Sequence, residues 1–103
     1  PVGQFLSDVL TQFSKTYKMR KGLDEPPVHD ACAVAYVIDP SCIETRQTPV
    51  HVEYRGVYTN GMTVADFRRP APKECHTYVA MHLDHTRFWE MIESSVRYLE
   101  SRL

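Results

Sequence analysis

The distribution of apolar residues predicts a helix at the start of the chain. Six apolar or aromatic side chains recur at intervals of three and four residues, with polar residues between them: Phe5, Leu6, Val9, Leu10, Phe13 and Tyr17. This spacing is typical of an amphipathic helix, which we expect to end near Gly22. The next segment, Leu23 to Val28, contains two acidic residues and two prolines. Because proline disfavours helical geometry in the preceding residue, this segment is predicted to be a loop.

A second, shorter helix is predicted from Asp30 to Asp39. Its sequence, ACAVAYVI, is too rich in alanine for a typical strand, and the Asp39–Pro40 pair closes it. Asp30 is suited to cap this helix, since its carboxylate can accept hydrogen bonds from the first-turn amides. A strand over the same residues is the alternative, because a short apolar run fits both structures.

Alternation with a period of two begins after Pro49 and predicts strands. The first has three inward positions separated by polar residues: Val50, Val52 and Tyr54. A second extended run covers Met62 to Phe67, and glycine-containing turns between the two runs favour a hairpin. The segment RRPAPKE is predicted to be a loop, and Thr77 to Leu83 alternates again as a third strand.

A final helix is predicted after Asp84, which can cap it. Its apolar stripe has five members: Phe88, Ile92, Val96, Leu99 and Leu103. The predicted order is therefore helix, helix, three strands, helix, which is an α/β fold class with about three helices and three strands.

Composition bounds the chain to one domain or a piece of one, since 103 residues with 43% hydrophobic side chains can form one core. The net charge of −1 and the dispersed lysines and arginines argue against nucleic-acid and membrane-surface proteins. Three cysteines at no familiar ligand spacing favour a reducing compartment, so a cytoplasmic location is expected. Because the chain starts with Pro1 rather than methionine, we expect a processed or excised fragment.

The adjacent pair His29–Asp30 is the main candidate for chemistry, because it lies at the edge of the most apolar segment. Histidine can donate or accept a proton near neutral pH, and aspartate can bind a cation. Plainer roles compete with these, since a lone histidine is usually structural and Asp30 could be only a helix cap. Calcium or magnesium takes about six or more ligands. Either Asp30 is only a cap, or further ligands lie outside this chain.

Two other sets of residues could bind a ligand, but each has a simpler explanation. A zinc site could be built from one cysteine and three histidines, Cys75, His76, His82 and His85, but their spacing matches no common zinc finger. Phe13 and Tyr17 share one helix face and would most simply pack in the core. A base-stacking role for them would require a ligand pocket beside them.

Two segments carry a resemblance to a known family. PPVHDACAVAYVIDP resembles a region near the C-terminal end of the inosine–uridine-preferring nucleoside hydrolases, where Val-His-Asp, Cys-Ala-Val-Ala-Tyr and Ile-Asp-Pro occur in this order. GMTVADFRRPAPKECHTYVAMHLDHTRFWEMI resembles the tail of the same family. The resemblance covers nearly all of the chain and is close to the protozoan-type members. It implies that residues 1–103 are a single segment, the C-terminal part of a Rossmann-like open mixed sheet.

The resemblance also implies a function for each candidate residue. In this family a calcium ion binds the ribose hydroxyls and the attacking water, and the aspartate matching Asp30 is one of its ligands. The histidine matching His29 is regarded as the proton donor to the leaving base. Aromatic residues matching Phe13 and Tyr17 approach the base, although a tyrosine is common where this chain has Phe13. The implied substrates are purine and pyrimidine ribonucleosides, and the full-length relatives are usually dimers or tetramers.

The chain departs from the family in one major respect. The N-terminal motif Asp-Thr-Asp-x-Gly-x-Asp-Asp, which supplies most of the calcium ligands in the family, is absent. The chain therefore resembles the C-terminal third of such an enzyme, and we expect it to be inactive by itself. The alternative is a truncated, non-enzymatic paralogue that acts as a binding or oligomerisation module.

Overall fold

The computed structural model describes residues 1–21 and 27–103, and these contain three helices and four strands. In chain order the elements are α1 (Val2–Lys21), α2 (His29–Ile38), a short 3₁₀ turn (Pro40–Cys42), β1 (Ile43–Gln47), β2 (Val50–Val52), β3 (Thr63–Ala65), β4 (Tyr78–Leu83) and α3 (His85–Glu100). The predicted α/β class is confirmed. The chain divides into two compact units, unit 1 (Pro1–Cys42 and Asp84–Leu103) and unit 2 (Ile43–Leu83).

The first predicted helix is confirmed as α1, which is described to its end at Lys21. The predicted loop lies outside the described residues between Leu23 and Pro26, so the structure does not test it there. Near the start of α1, the Gly3 amide donates a hydrogen bond of 2.8 Å to the Glu100 carboxylate at the end of α3. This contact joins the first and last helices of unit 1. None of the described helices combines the length and the apolarity that crossing a membrane requires.

The segment after His29 is a helix, so the strand alternative is wrong. The N-cap lies two residues earlier than predicted, at Val28 instead of Asp30, because the Val28 carbonyl accepts the Cys32 amide and starts the helical hydrogen-bond ladder. Val28 is the N-cap residue and makes no side-chain capping bond. The prediction that Asp30 caps α2 is therefore wrong, since Asp30 lies inside the first turn.

A polar network joins the end of α2 to the start of α3. The Arg87 guanidinium lies 3.0 Å from the Asp39 carboxylate and donates a 2.9 Å hydrogen bond to the Ser41 hydroxyl. The same hydroxyl donates to Asp39, and this bond, with smaller contributions from the Ser41 amide and then from the charge of Arg87, holds the pKa of the Asp39 carboxyl below its usual range. The Asp84 amide donates to the Cys42 carbonyl at 2.8 Å. These bonds fix the turn that brings the two helices together.

The core of unit 1 is small. Its buried hydrophobic side chains among the described residues are Ala35, Cys42 and Phe88, and the Phe88 ring meets Trp89 edge to face at 5.1 Å. The predicted stripe of α3 is only partly covered, since Ile92 and Val96 are half-buried whereas Leu99 is exposed. Leu103, predicted to continue the stripe, lies beyond the end of the helix and is exposed.

Unit 2 contains a strand that the sequence pattern did not predict. β1 pairs antiparallel with β4 from Ile43 opposite Leu83 to Gln47 opposite Tyr78, with a bulge between Glu44 and Thr45. The β1 sequence IETRQ has a single aliphatic residue, so it carries no clear alternation. Pairing with the distant β4 supplies its hydrogen bonds, and that pairing is invisible to a local pattern.

The predicted hairpin is confirmed in a shorter form. β2 pairs antiparallel with β3, with His51 opposite Val64, and both strands are three residues long. Their connection closes through Gly61, whose amide donates to the Glu53 carbonyl at 2.7 Å and whose φ of 88° favours glycine. Tyr54, predicted as a strand position, therefore lies in the connecting turn.

Two arginines contact the residues that follow β3: Arg68, which binds Asp66, and Arg46 of β1, which lies over Phe67. Arg68 binds the Asp66 carboxylate through two nitrogens, each at 2.9 Å, and this pairing holds the pKa of the Asp66 carboxyl far below its usual range. The Arg46 guanidinium lies over the Phe67 ring, 5.0 Å from its centre.

The capping bond of α3 gives a first test of unit 1. The Asp84 carboxylate accepts the Arg87 amide at 3.1 Å, as predicted for a cap. We expect Asp84→Ala to lower the free energy of unfolding by about 1 kcal/mol, because a first-turn amide loses its acceptor. Urea unfolding followed by circular dichroism measures this loss. Asp84→Asn keeps an acceptor oxygen and should lose less, and an equal loss in both variants would contradict the capping role.

The Asp66–Arg68 pair gives a test of unit 2. Arg68→Leu should raise the pKa of the Asp66 carboxyl towards its ordinary value of 3.8, because the bidentate partner is removed. Since the folded pKa lies below the unfolded one, the pair stabilises the hairpin above pH 3.8, and this stabilisation is lost as the pH falls through the folded pKa. An NMR titration of the side-chain carboxyl measures the shift. The matched control is Arg69→Leu, which should leave the titration unchanged.

Candidate functional site

A cleft of about 220 Å³ in unit 1 brings the four predicted site residues together. It is lined by the second half of α1 and the start of α2: Leu10, Phe13, Tyr17, Pro27, Val28, His29 and Asp30. On α1 the three lining residues are spaced at three and four positions, so they lie on one helix face. The structure therefore brings into one cleft four residues that span 17 sequence positions, from Phe13 to Asp30. Their roles remain predictions.

The aromatic pair forms one wall of this cleft. The Phe13 and Tyr17 rings lie 5.4 Å apart between centres, in an edge-to-face arrangement with an interplanar angle of 68°. Phe13 is 41% exposed and Tyr17 is half-buried. Neither ring is buried in the core, which was the simpler expectation. The pair instead offers an apolar and aromatic surface to a ligand in the cleft.

The opposite wall is the first turn of α2. His29 and Asp30 are its first two residues, and both side chains are exposed. Among the described residues neither side chain has a recorded hydrogen bond or ion pair. A carboxylate in the first turn also interacts favourably with the partial positive charge at the helix N-terminus. The exposed imidazole and carboxyl groups therefore lie side by side at the mouth of the cleft.

The donor set was compared with what a calcium ion requires. Among the described residues, Asp30 is the only carboxylate that lines the cleft, whereas calcium takes about six to eight oxygen ligands. Over the described residues 1–21 and 27–103, no group of three or more His, Cys, Asp or Glu side chains could hold a metal ion. The described residues therefore do not form a calcium site by themselves, nor do they assemble a zinc site.

Three cleft residues were not singled out from the sequence: Leu10, Pro27 and Val28. A signal for Leu10 was present, since it stands three and seven positions before the two aromatic residues on the same helix face. Pro27 and Val28 precede His29 directly and shape the approach to α2. These residues make the cleft more apolar than the four predicted residues alone would.

A larger cleft of about 560 Å³ lies in unit 2, beside the β2–β3 hairpin. His51, Asp66, Phe67 and Arg68 contribute to its lining. Its acid and base already bind each other, as the Asp66–Arg68 pair shows. We therefore place the candidate site in the smaller cleft, where the titratable side chains face open space.

The size of the smaller cleft bears on what it can hold. Pockets for small organic ligands have volumes of about 300 to 1,000 Å³ and enclose most of the ligand surface. At about 220 Å³, the cleft at His29 falls below this range. The part of the cleft that the described residues form is therefore too small to enclose a whole ligand of this kind.

Comparison with known proteins agrees with the motifs described above. The profile of the inosine-uridine preferring nucleoside hydrolases matches residues 1–90. The chain is 46% identical over 89 residues to the inosine-uridine preferring nucleoside hydrolase of Crithidia fasciculata, covering 86% of this chain and 28% of that protein. The enzyme of the same name from Leishmania major is also 46% identical, over 85% of this chain and 28% of its own length.

A bacterial relative extends the comparison. The pyrimidine-specific ribonucleoside hydrolase of Escherichia coli O157:H7 is 34% identical over 97 residues, which cover 94% of this chain and 31% of that protein. The chain thus spans less than a third of the length of these curated relatives. Because the family profile matches most of this chain, the chain belongs to the inosine-uridine preferring nucleoside hydrolase family.

Proposed function

We propose that this chain supplies the leaving-base side of the active site of a ribonucleoside hydrolase. The observation that carries the proposal is the single cleft in which His29 and Asp30 face Phe13 and Tyr17. The proposed reaction is cleavage of the N-glycosidic bond of purine and pyrimidine ribonucleosides to base and ribose. The names of the relatives support this substrate class, since they specify inosine, uridine and pyrimidine ribonucleosides.

In the proposed mechanism, each cleft residue has one task. Water adds to the ribose carbon and releases one proton to the solvent as the carbon–nitrogen bond breaks, so positive charge develops on the ribose and negative charge on the base. His29 donates a proton to the departing base, which removes that negative charge and lowers the barrier. Phe13 and Tyr17 hold the flat base by ring contacts and exclude water around it.

Asp30 is proposed as one oxygen ligand of a calcium ion whose other ligands lie outside this chain. This accounts for an unpaired carboxylate beside His29, and for the lack of further carboxylates among the described lining residues. It also means that the chain alone should be inactive. The proposed cytoplasmic location and assembly into dimers or tetramers rest only on the cysteine usage and on the resemblance.

The second candidate function is a non-enzymatic module that binds a partner or promotes oligomerisation. The many exposed apolar side chains of unit 1 favour it, because large apolar patches often mark interaction sites. The two candidates differ in whether this chain supports turnover when the rest of the domain is present.

A fusion protein tests the enzyme proposal. In it, this chain replaces the matched 89 residues of the Crithidia fasciculata relative. We expect the fusion to hydrolyse inosine and uridine, and His29→Ala to lower kcat for inosine by about 10² to 10⁴-fold, because the base loses its proton donor. The loss should be much smaller for p-nitrophenyl riboside, since nitrophenolate departs without protonation.

The matched control is His51→Ala, which removes an exposed histidine of unit 2 and should leave both rates unchanged. Equal losses for inosine and p-nitrophenyl riboside would contradict the proton-donor role of His29. A folded fusion without any turnover would favour the non-enzymatic module.

Calcium titration tests the proposed role of Asp30. By isothermal titration calorimetry, the chain alone should bind calcium no more tightly than about 1 mM, because it offers one carboxylate where several are required. In the fusion, Asp30→Asn should weaken calcium binding and lower turnover of all nucleosides together. Asp8→Asn, an exposed aspartate of α1, is the control. Tight calcium binding with turnover by the chain alone would show that the site needs nothing further.

A further inference from the structure

The start of α1 is capped by a residue from the far end of the chain. The Pro1 carbonyl accepts the Phe5 amide at 3.0 Å, which is the first helical hydrogen bond. The amides before Phe5 have no acceptor within the helix, and by sequence the first turn of α1 contains no acidic residue. The Gly3 amide donates instead to the Glu100 carboxylate at 2.8 Å. Glu100 of α3 thus takes the place of a capping side chain.

This contact does not require a free N-terminus. The Pro1 ammonium group also lies 3.4 Å from the Glu100 carboxylate, but the hydrogen bond from Gly3 is separate from that ion pair. Proline has no amide hydrogen and disfavours helical geometry in the residue before it. With a segment joined ahead of Pro1, the helix would still begin here and the Gly3 amide would still need an acceptor.

Gly3 allows the end of α3 to approach the α1 backbone closely. A Cβ atom at this position would lie 3.3 Å from a Glu100 carboxylate oxygen and 3.8 Å from a methyl carbon of Val96. The Gly3 amide, followed by the Pro1 ammonium group, holds the pKa of the Glu100 carboxyl below its ordinary value. The carboxylate is therefore charged near neutral pH, and its charge interacts favourably with the N-terminus of α1.

Helix α1 has little else to fix its direction. None of its described side chains is buried, whereas α2 has the buried Ala35 and α3 the buried Phe88. Elements with few buried contacts change position at a low cost in free energy. The direction of α1 within unit 1 therefore depends strongly on its polar contact with Glu100.

The two walls of the cleft at His29 are tied to opposite ends of α3. The α2 wall is held through Asp39, whose carboxylate lies 3.0 Å from the Arg87 guanidinium in the first turn of α3. The α1 wall is held through Glu100, the last residue of α3. Helix α3 is thus the common support of both walls.

The aromatic pair lies far along α1 from this contact. At 1.5 Å per residue, Phe13 is about 15 Å and Tyr17 about 21 Å from Gly3 along the helix axis. A change of about 10° in the direction of α1 at Gly3 would displace Phe13 by about 3 Å. Aromatic rings interact at centre separations of about 4.5 to 7 Å, so this displacement would break a ring contact with a bound base.

We propose that Glu100 is a positioning residue for the aromatic wall of the cleft. Its carboxylate caps α1 through the Gly3 amide and thereby sets where Phe13 and Tyr17 lie. Its effect on base binding rests on the proposed function, whereas its effect on the position of the two rings does not. Glu100 lies beyond residues 1–90, the part that the family profile matches.

The first measurement is NMR spectroscopy of this chain with a short glycine–serine extension ahead of Pro1, which removes the ammonium group from the contact. Glu100→Ala should shift the ring signals of Phe13 and Tyr17, because α1 loses its cap and changes direction. Glu100→Gln keeps an acceptor oxygen and should leave these signals in place. The matched control is Glu93→Ala, which removes another α3 carboxylate, one that is 62% exposed.

The second measurement is the kinetics of the fusion. Glu100→Ala should raise KM for inosine about two- to tenfold, the size of one lost aromatic contact, with kcat changed less than about twofold. Glu100→Gln and Glu93→Ala should leave KM unchanged. A general loss of folding would instead lower the amount of active enzyme and leave KM as it was.

Three results would overturn the proposal. The first is NMR shifts confined to the first turn of α1 and the last turn of α3. The second is equal ring shifts in Glu100→Ala and Glu100→Gln, and the third is an unchanged KM of Glu100→Ala in an active fusion. A fusion without turnover, together with the expected ring shifts in this chain, would contradict the proposed function and leave Glu100 as the positioning residue.

Discussion

The start of helix α2 is the constraint on which the candidate site depends. The first helical hydrogen bond runs from the Cys32 amide to the Val28 carbonyl, which places His29 and Asp30 together in the first turn. A start two residues later would make Asp30 the cap, and its carboxylate would be occupied by backbone amides. The observed start leaves both side chains open towards α1. Only then can they share a cleft with Phe13 and Tyr17.

Helix α2 combines two requirements that compete in a small unit. Its polar first turn must face open space to meet a ligand, whereas its apolar body requires burial. Unit 1 meets the second requirement only on the side of Ala35, where α3 contributes the buried Phe88. The network of Asp39, Ser41 and Arg87 holds the far end of α2 against the start of α3. On its other sides α2 has no buried side chain among the described residues, so the exposed first turn is followed by a largely exposed apolar body.

The elements that the sequence predicted well are those with strong local signals. The helical spacing of α1 and the capping aspartate of α3 are signals carried by residues close together in the sequence. Both predictions were confirmed. β1 was missed because its five residues carry only one aliphatic side chain, and its stability comes from pairing with β4, some 35 residues away. The cap of α2 was predicted two residues too late, at Asp30 instead of Val28, since aspartate is a common capping residue and gives a strong local signal.

The sequence by itself determined which residue types were available: a histidine and an aspartate next to an apolar helix, and two aromatic side chains one turn apart on another. Those facts follow from residue identity and local spacing, which need no knowledge of the fold. Tertiary structure decided that the two pairs line one cleft, that Phe13 is exposed instead of buried, and that Asp30 is not a cap. The capping position depends on one backbone hydrogen bond, from Cys32 to Val28. The shared cleft and the exposure of Phe13 depend on contacts between segments far apart in the chain, which the packing of whole helices determines and local periodicity does not.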